Sequence, residues 1–96
     1  MYVLVEHYIH DPQAFWSSVQ YALTSPPTIM RLHHCLPTAD GSHAATLWEA
    51  ERLQDVSGYL EAYVGHLARN TYHAVEALAG INLPSGVPLP DAPGAD

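Results

Sequence analysis

The stretch "MRLHHCLPTADGSHAATLWEA", residues 30 to 50, decides the fold. Asp40-Gly41 at its centre is the dipeptide that most often closes a tight β-hairpin, because both positions tolerate a left-handed backbone. The segment before it, "TIMRLHHCLP" (28–37), reads as one strand. The segment after it, "AATLWEAE" (44–51), reads as the next, antiparallel to the first. Working outward, "YVLVEHYI" (2–9) is β-branched and aromatic, and too short for a helix. "HDPQAFWSSVQYAL" (10–23) is a helix, with Asp11 as N-cap, Pro12 at its first turn and Phe15, Val19 and Ala22 or Leu23 on one stripe. "RLQDVSGYLEAYVGHLARN" (52–70) is a second helix with Val56, Leu60, Tyr63 or Val64, and Leu67 on its apolar face. "TYHAVEAL" (71–78) reads as a fourth strand.

The order βαββαβ defines an α+β, ferredoxin-like domain: a four-stranded antiparallel sheet with both helices on one face. We expect this domain over residues 1–83 and a flexible, Pro-rich tail over 84–96. The other sheet face needs a cover, and a chain of 96 residues offers no further element to supply one. A second copy is the simplest cover, which predicts a homodimeric barrel with a cleft in each subunit.

Composition narrows the function. Ten acidic residues stand against three Arg and no Lys, a formal net charge of −7. No basic face exists to neutralise phosphates, which argues against nucleic acid and equally against an anionic membrane surface. No run is long enough for a membrane span, and no leader-like segment opens the sequence. A soluble, cytoplasmic protein is therefore expected, with one cysteine and hence no intrachain disulfide. Seven His against three Arg is the unusual ratio, since His titrates near neutrality and is the commonest metal ligand.

Strand alternation sorts these residues. In the second strand Arg31, His33 and Cys35 share one face, while Met30, Leu32, His34 and Leu36 share the more apolar one, assigned to the helices. Glu6 and Tyr8 fall on the cleft side of the first strand, and His7 on the helix side. Glu49 and His73 are placed in the cleft.

The chain also resembles the dimeric α/β-barrel superfamily over residues 1 to about 83. "RLHHCLPTADGSHAATLWEAERLQDV" (31–56) is similar to the strand–turn–strand–helix segment of small actinobacterial proteins, a nickel-binding family among them. The matching parts are "RLH", "ADG" and "LWEA". "NTYHAVEALAGINLP" (70–84) looks like the terminal strand and exit of related proteins. The superfamily also holds cofactor-independent monooxygenases, haem-degrading enzymes and polyketide cyclases working through His and Tyr, so the resemblance implies a fold and leaves the chemistry open.

Two readings of the cleft follow. In the first, His33 and Cys35, an i, i+2 pair, hold a transition metal such as Ni, Zn or Cu, because imidazole and thiolate suit those ions. Glu6, His66 or His73 would complete the shell, and Arg31 would need a carboxylate partner to stand beside a cation. In the second, His33 and His73, with Tyr63 and Tyr72, carry out acid–base chemistry on a small apolar substrate without a cofactor, as in a cyclase, isomerase or monooxygenase. Arg31 or a Tyr would stabilise an enolate oxygen there. The plainer alternative is a buried His held by a carboxylate, a Cys acting as a small apolar residue, and tyrosines packing on the sheet.

Overall fold

The computed structural model describes residues 1–76, 80 and 83. The elements are β1 (Tyr2–Ile9), α1 (Pro12–Thr24), β2 (Met30–Pro37), β3 (His43–Ala50), α2 (Leu53–Val64) and β4 (Ala68–Ala74). All strand pairs are antiparallel, in the order β2-β3-β1-β4. This is the ferredoxin-like βαββαβ plan that the sequence order predicts. The expected 84–96 tail lies outside the described residues, as does the end of the expected fourth strand. No helix among the described residues is long and apolar enough to cross a membrane.

Local chemistry explains the boundaries. Asp11 caps α1 by accepting from the Ala14 N–H at 3.2 Å, and Pro12 opens the helix. In the hairpin Gly41 has φ +74, which disfavours any side chain. Asp40 accepts from the Ser42 N–H (3.0 Å), the Ser42 hydroxyl (2.8 Å) and the Thr38 hydroxyl (2.9 Å). These donors hold its carboxyl down at about 2. The Trp16 indole N–H then donates to the Gly41 carbonyl at 3.0 Å, fastening α1 to the turn.

The second helix is shorter, and the fourth strand begins earlier, than expected. The helix closes on Gly65, its C-cap, whose N–H donates to the Glu61 carbonyl and where a Cβ would lie 2.6 Å from that same oxygen. The helix ends at Val64, the chain turns, and Arg69 and Asn70 pair with Tyr8 and His7. These two residues have little β-propensity, but the free edge of β1 overrides it.

One face of the sheet is packed. Val3 and Val5 of β1 join Met30, Trp48, Ala50, Val56 and Leu60 in one cluster. Ile9 joins Phe15, Val19, Ala22, Ala44, Val64 and Ala68 in another. Each large side chain buried here contributes roughly 1.5–3 kcal/mol relative to its exposed state. The Tyr59 hydroxyl donates to the Ala22 carbonyl at 3.0 Å and ties the helices together.

His7 lies between the two clusters on β1, buried against the Phe15 ring at 5.7 Å. Its hydrogen bonds have a fixed direction. Trp48 Nε1–H can only donate, and it reaches Thr46 Oγ1 at 2.9 Å. Thr46 Oγ1 lies 2.9 Å from His7 Nε2, and His7 Nδ1 lies 2.7 Å from Asn70 Oδ1. The Asn70 amide N–H donates to Glu61 Oε2 at 2.9 Å, which also accepts from the Tyr72 hydroxyl at 2.5 Å. The carboxylate end fixes the direction through Asn70, so His7 Nδ1 carries a proton and donates to Asn70 Oδ1; in the neutral imidazole Nε2 then accepts from the Thr46 hydroxyl. Burial pushes the His7 pKa below its ordinary value, against the weaker pull of Asn70 and Glu61.

Two outcomes follow. The unfolded chain binds the His7 proton more readily than the folded one, so folding stability falls as pH drops below about 6.5. Urea midpoints measured from pH 7.5 to 5 should decline more steeply for the wild type than for His7→Phe, which cannot titrate. Thr46→Val strands the Trp48 N–H and His7 Nε2, and should cost about 1–3 kcal/mol in the same assay at pH 7.5.

Candidate functional site

The second sheet face has no described element over it. Its residues follow from the pairing register, because directly opposed residues of antiparallel strands point to the same side. Tyr2 stands beside Glu49, Leu4 beside Leu47 and His73, Glu6 beside Ala45 and Thr71, and Tyr8 beside His43 and Arg69. Glu6, Tyr8, Glu49 and His73 therefore lie on this face, as alternation predicts, and His7 lies on the other.

The edge strand β2 departs from simple alternation. Arg31 opposes Glu49 and Leu32 opposes Trp48, but the next paired residue, His34, opposes Leu47. His33 is the extra residue of a β-bulge, and the inward and outward sets exchange beyond it. This corrects two expectations. Cys35 opposes the buried Thr46 and lies on the helix side, so His33 and Cys35 are not a face pair. His34 and Leu36 oppose Leu47 and Ala45 and belong to the open face rather than the core. Burial raises the Cys35 thiol pKa above its ordinary value.

The bulge turns His33 toward β3. His33 Nε2 lies 2.9 Å from Glu49 Oε1, with the His33 side chain 7% exposed and that of Glu49 26% exposed. The Tyr2 ring is tilted against the imidazole at 5.9 Å. A second imidazole–carboxylate pair joins β4 to β1: His73 Nε2 lies 3.2 Å from Glu6 Oε1. The Thr71 hydroxyl donates to the same oxygen at 3.3 Å. This pair is open to solvent, with side chains 53% and 46% exposed. Glu6 borders a groove of about 290 Å³ whose walls include Tyr8, Leu36, His43 and Ala45. The Arg69 guanidinium sits 4.8 Å from the centre of the Tyr8 ring. The His43 ring meets the same tyrosine edge-on at 5.3 Å.

The two pairs stand apart. Glu49 opposes Tyr2, and Glu6 lies four residues further along β1, about 14 Å at strand spacing. The other expected site residues stand elsewhere. Tyr63 packs between Tyr59, edge-on at 5.1 Å, and Tyr21, tilted at 6.3 Å, on the helical layer. Tyr72 lies on the helix side of β4, donating to Glu61, and desolvation followed by that carboxylate drives its pKa up. His66 is exposed in the turn before β4, which begins opposite Ile9, at the far end of β1 from the Glu49 level. Among the described residues no three His, Cys, Asp or Glu side chains group to hold a metal ion.

Sequence reading gave no role to Thr71 or Arg69. Thr71 shares strand parity with His73 within the expected strand 71–78, so its signal was available, whereas that of Arg69 depended on starting β4 at Ala68. No family model matches the chain, and no curated protein matches it.

The bulge has a chemical consequence for Cys35. Its modification by a neutral disulfide reagent should be slow, with a rate–pH midpoint above that of a free thiol. A fast reaction with a midpoint at or below the free value would place Cys35 on the open face.

Proposed function

We propose that the chain is the subunit of a homodimer whose sheet faces enclose a cleft, and that His73 moves a proton there on a small apolar carbonyl compound. One observation carries this reading: a solvent-accessible imidazole, His73, is held by Glu6, a carboxylate that itself lines a groove on the sheet face over which no described element lies. Glu6 accepts from His73 Nε2–H and from Thr71, so in the neutral imidazole the lone pair lies on Nδ1, with a fixed direction. A base held this way can remove a proton α to a carbonyl, and the Glu6 carboxylate stabilises the imidazolium that forms. Tyr8, with Arg69 over its ring, supplies a polar edge and a positive charge near which an enolate oxygen would be favoured. Leu36 and Ala45 give the groove its apolar walls. His33 and Glu49, mostly buried, act in this reading as a fixed pair that sets the shape of the β2 edge.

Dimerisation is supported by the makeup of the face. Leu4 and Leu47 are paired at its centre. Glu6 and Glu49 are each engaged by a histidine, and Arg69 adds a positive charge beside Tyr8, in a chain of net charge −7. A second copy can approach there without like-charge repulsion, and two closed faces would shield the groove from bulk water.

The metal reading retains one supporting feature. Both His33 and His73 present Nε2 to a carboxylate, the arrangement that orients metal-bound imidazoles. With no three donors grouped in one chain, Ni, Zn or Cu would need ligands from two copies.

Deuterium exchange at the α-carbon of 1-indanone in D₂O, followed by proton NMR, tests the enzyme. The wild type should exceed His73→Ala by roughly 100-fold or more, with Glu6→Gln between them. Equal rates in all three sink the proton-transfer reading. Sedimentation should give a dimer for the wild type and a monomer for Leu47→Glu. Calorimetric titration with Ni, Zn and Cu salts separates the two readings, since stoichiometric binding abolished by His33→Ala would favour the metal.

A further inference from the structure

Each arginine of this chain has a different environment. Arg52 pairs with Asp55 at 3.0 Å. Arg69 sits over the Tyr8 ring. Arg31 is half-buried, and among the described residues its side chain has no ion pair or hydrogen bond. Its cross-strand neighbour, Glu49, is held by His33 instead. A partly dehydrated cation without a counter-charge is costly, and that cost becomes favourable binding energy when an anion arrives.

Arg31 also borders a cavity. A cleft of about 390 Å³ opens between the end of α1 and the β2 edge, away from the groove at Glu6. Leu23, Met30 and Leu32 form its apolar wall, and Ser25 and Thr28 border it with hydroxyl-bearing side chains. The volume falls in the range of small-molecule sites.

We propose that this cleft binds a small monocarboxylate bearing a short apolar tail. The guanidinium fork matches a carboxylate with two parallel hydrogen bonds. The leucines and Met30 would cover the tail. One positive charge balances one negative charge. A dianion would leave an uncompensated negative charge on a chain that already carries −7. The site is independent of the proton-transfer reading, because no residue used here belongs to the groove at Glu6.

The test uses hexanoate, inorganic phosphate and 1-hexanol as probes, followed through backbone amide NMR shifts of the full chain. Hexanoate should produce saturable shifts centred on residues 23–32, and its affinity should fall as NaCl is raised. Arg31→Gln and Arg31→Met should weaken hexanoate by roughly tenfold or more. Arg31→Lys should retain part of the affinity, and His73→Ala all of it. The salt dependence of the wild type tests the charge reading even if a neutral variant fails to fold. The proposal is overturned if hexanoate gives no saturable shifts or binds folded Arg31→Gln as well as the wild type. It is equally overturned if hexanol matches hexanoate, or if phosphate binds more tightly than hexanoate.

Discussion

The layout of the β2 edge, and with it one wall of the groove beside Glu6, depends on one extra residue in one strand. His33 has no partner of its own in the β2–β3 register, and everything after it in β2 has exchanged faces. The bulge sends His33 to Glu49, puts Cys35 on the side of Thr46, and leaves His34 and Leu36 beside the open-face residues Leu47 and Ala45. Without it, imidazole and thiolate would share a face and offer two soft donors to a metal. With it, the face offers imidazoles oriented by carboxylates. A bulge also suits this position in the sheet. β2 is an edge strand, and a local kink there discourages pairing with another chain.

β1 supplies the second constraint. It is a central strand, and its alternate residues serve both faces. Val3, Val5 and Ile9 enter the two apolar clusters, while Glu6 and Tyr8 serve the open side. His7 breaks the apolar row at the boundary between the clusters, which ought to be destabilising. It is tolerated because each polar atom in its surroundings has a partner, from the Trp48 N–H to the Glu61 carboxylate. That chain joins β3, β1, β4 and α2 and admits a single register for β4. A slip of one residue would bring Arg69 or Thr71 to His7 in place of Asn70. A satisfied polar network of this kind specifies an arrangement more than it adds net stability.

How much of this was legible follows the physics of each signal. Alternation and the Asp40-Gly41 turn are local, so the order of elements, the hairpin and the faces of β1 and β3 could be read directly. The start of β4 could not, because Arg69 and Asn70 are strand residues only through the free edge of β1. Gly65 carried the hint, yet a glycine late in a helical pattern can bend a helix as readily as end it. The bulge was unreadable for a deeper reason. "RLHHCLP" alternates equally well with or without an inserted residue, and nothing local marks His33 as the one that steps out. Any site built from β2 by parity alone inherits that ambiguity, which is why Cys35 and His34 changed sides while Glu6, Glu49 and His73 did not.

The distribution of charge gives these separate features a common logic. A chain with ten acidic residues, three arginines and no lysine has few means of attracting an anion or a copy of itself. Two of its arginines, Arg31 and Arg69, stand at the levels of Glu49 and Tyr8 on the sheet rather than scattered over the helices. Glu6 and Glu49, also on the sheet, are each engaged with a histidine. The remaining acidic residues outnumber the one remaining arginine, so like-charge repulsion disfavours approach elsewhere on the molecule. In the proposed dimer, association would thereby be directed to the sheet face by exclusion as well as by attraction. The same reasoning separates the arginines by task. Arg69, stacked on Tyr8, is already partnered and fixed in orientation, which suits a group that stabilises developing charge. Arg31 has no anion of its own among the described residues, which suits a group that receives charge from outside.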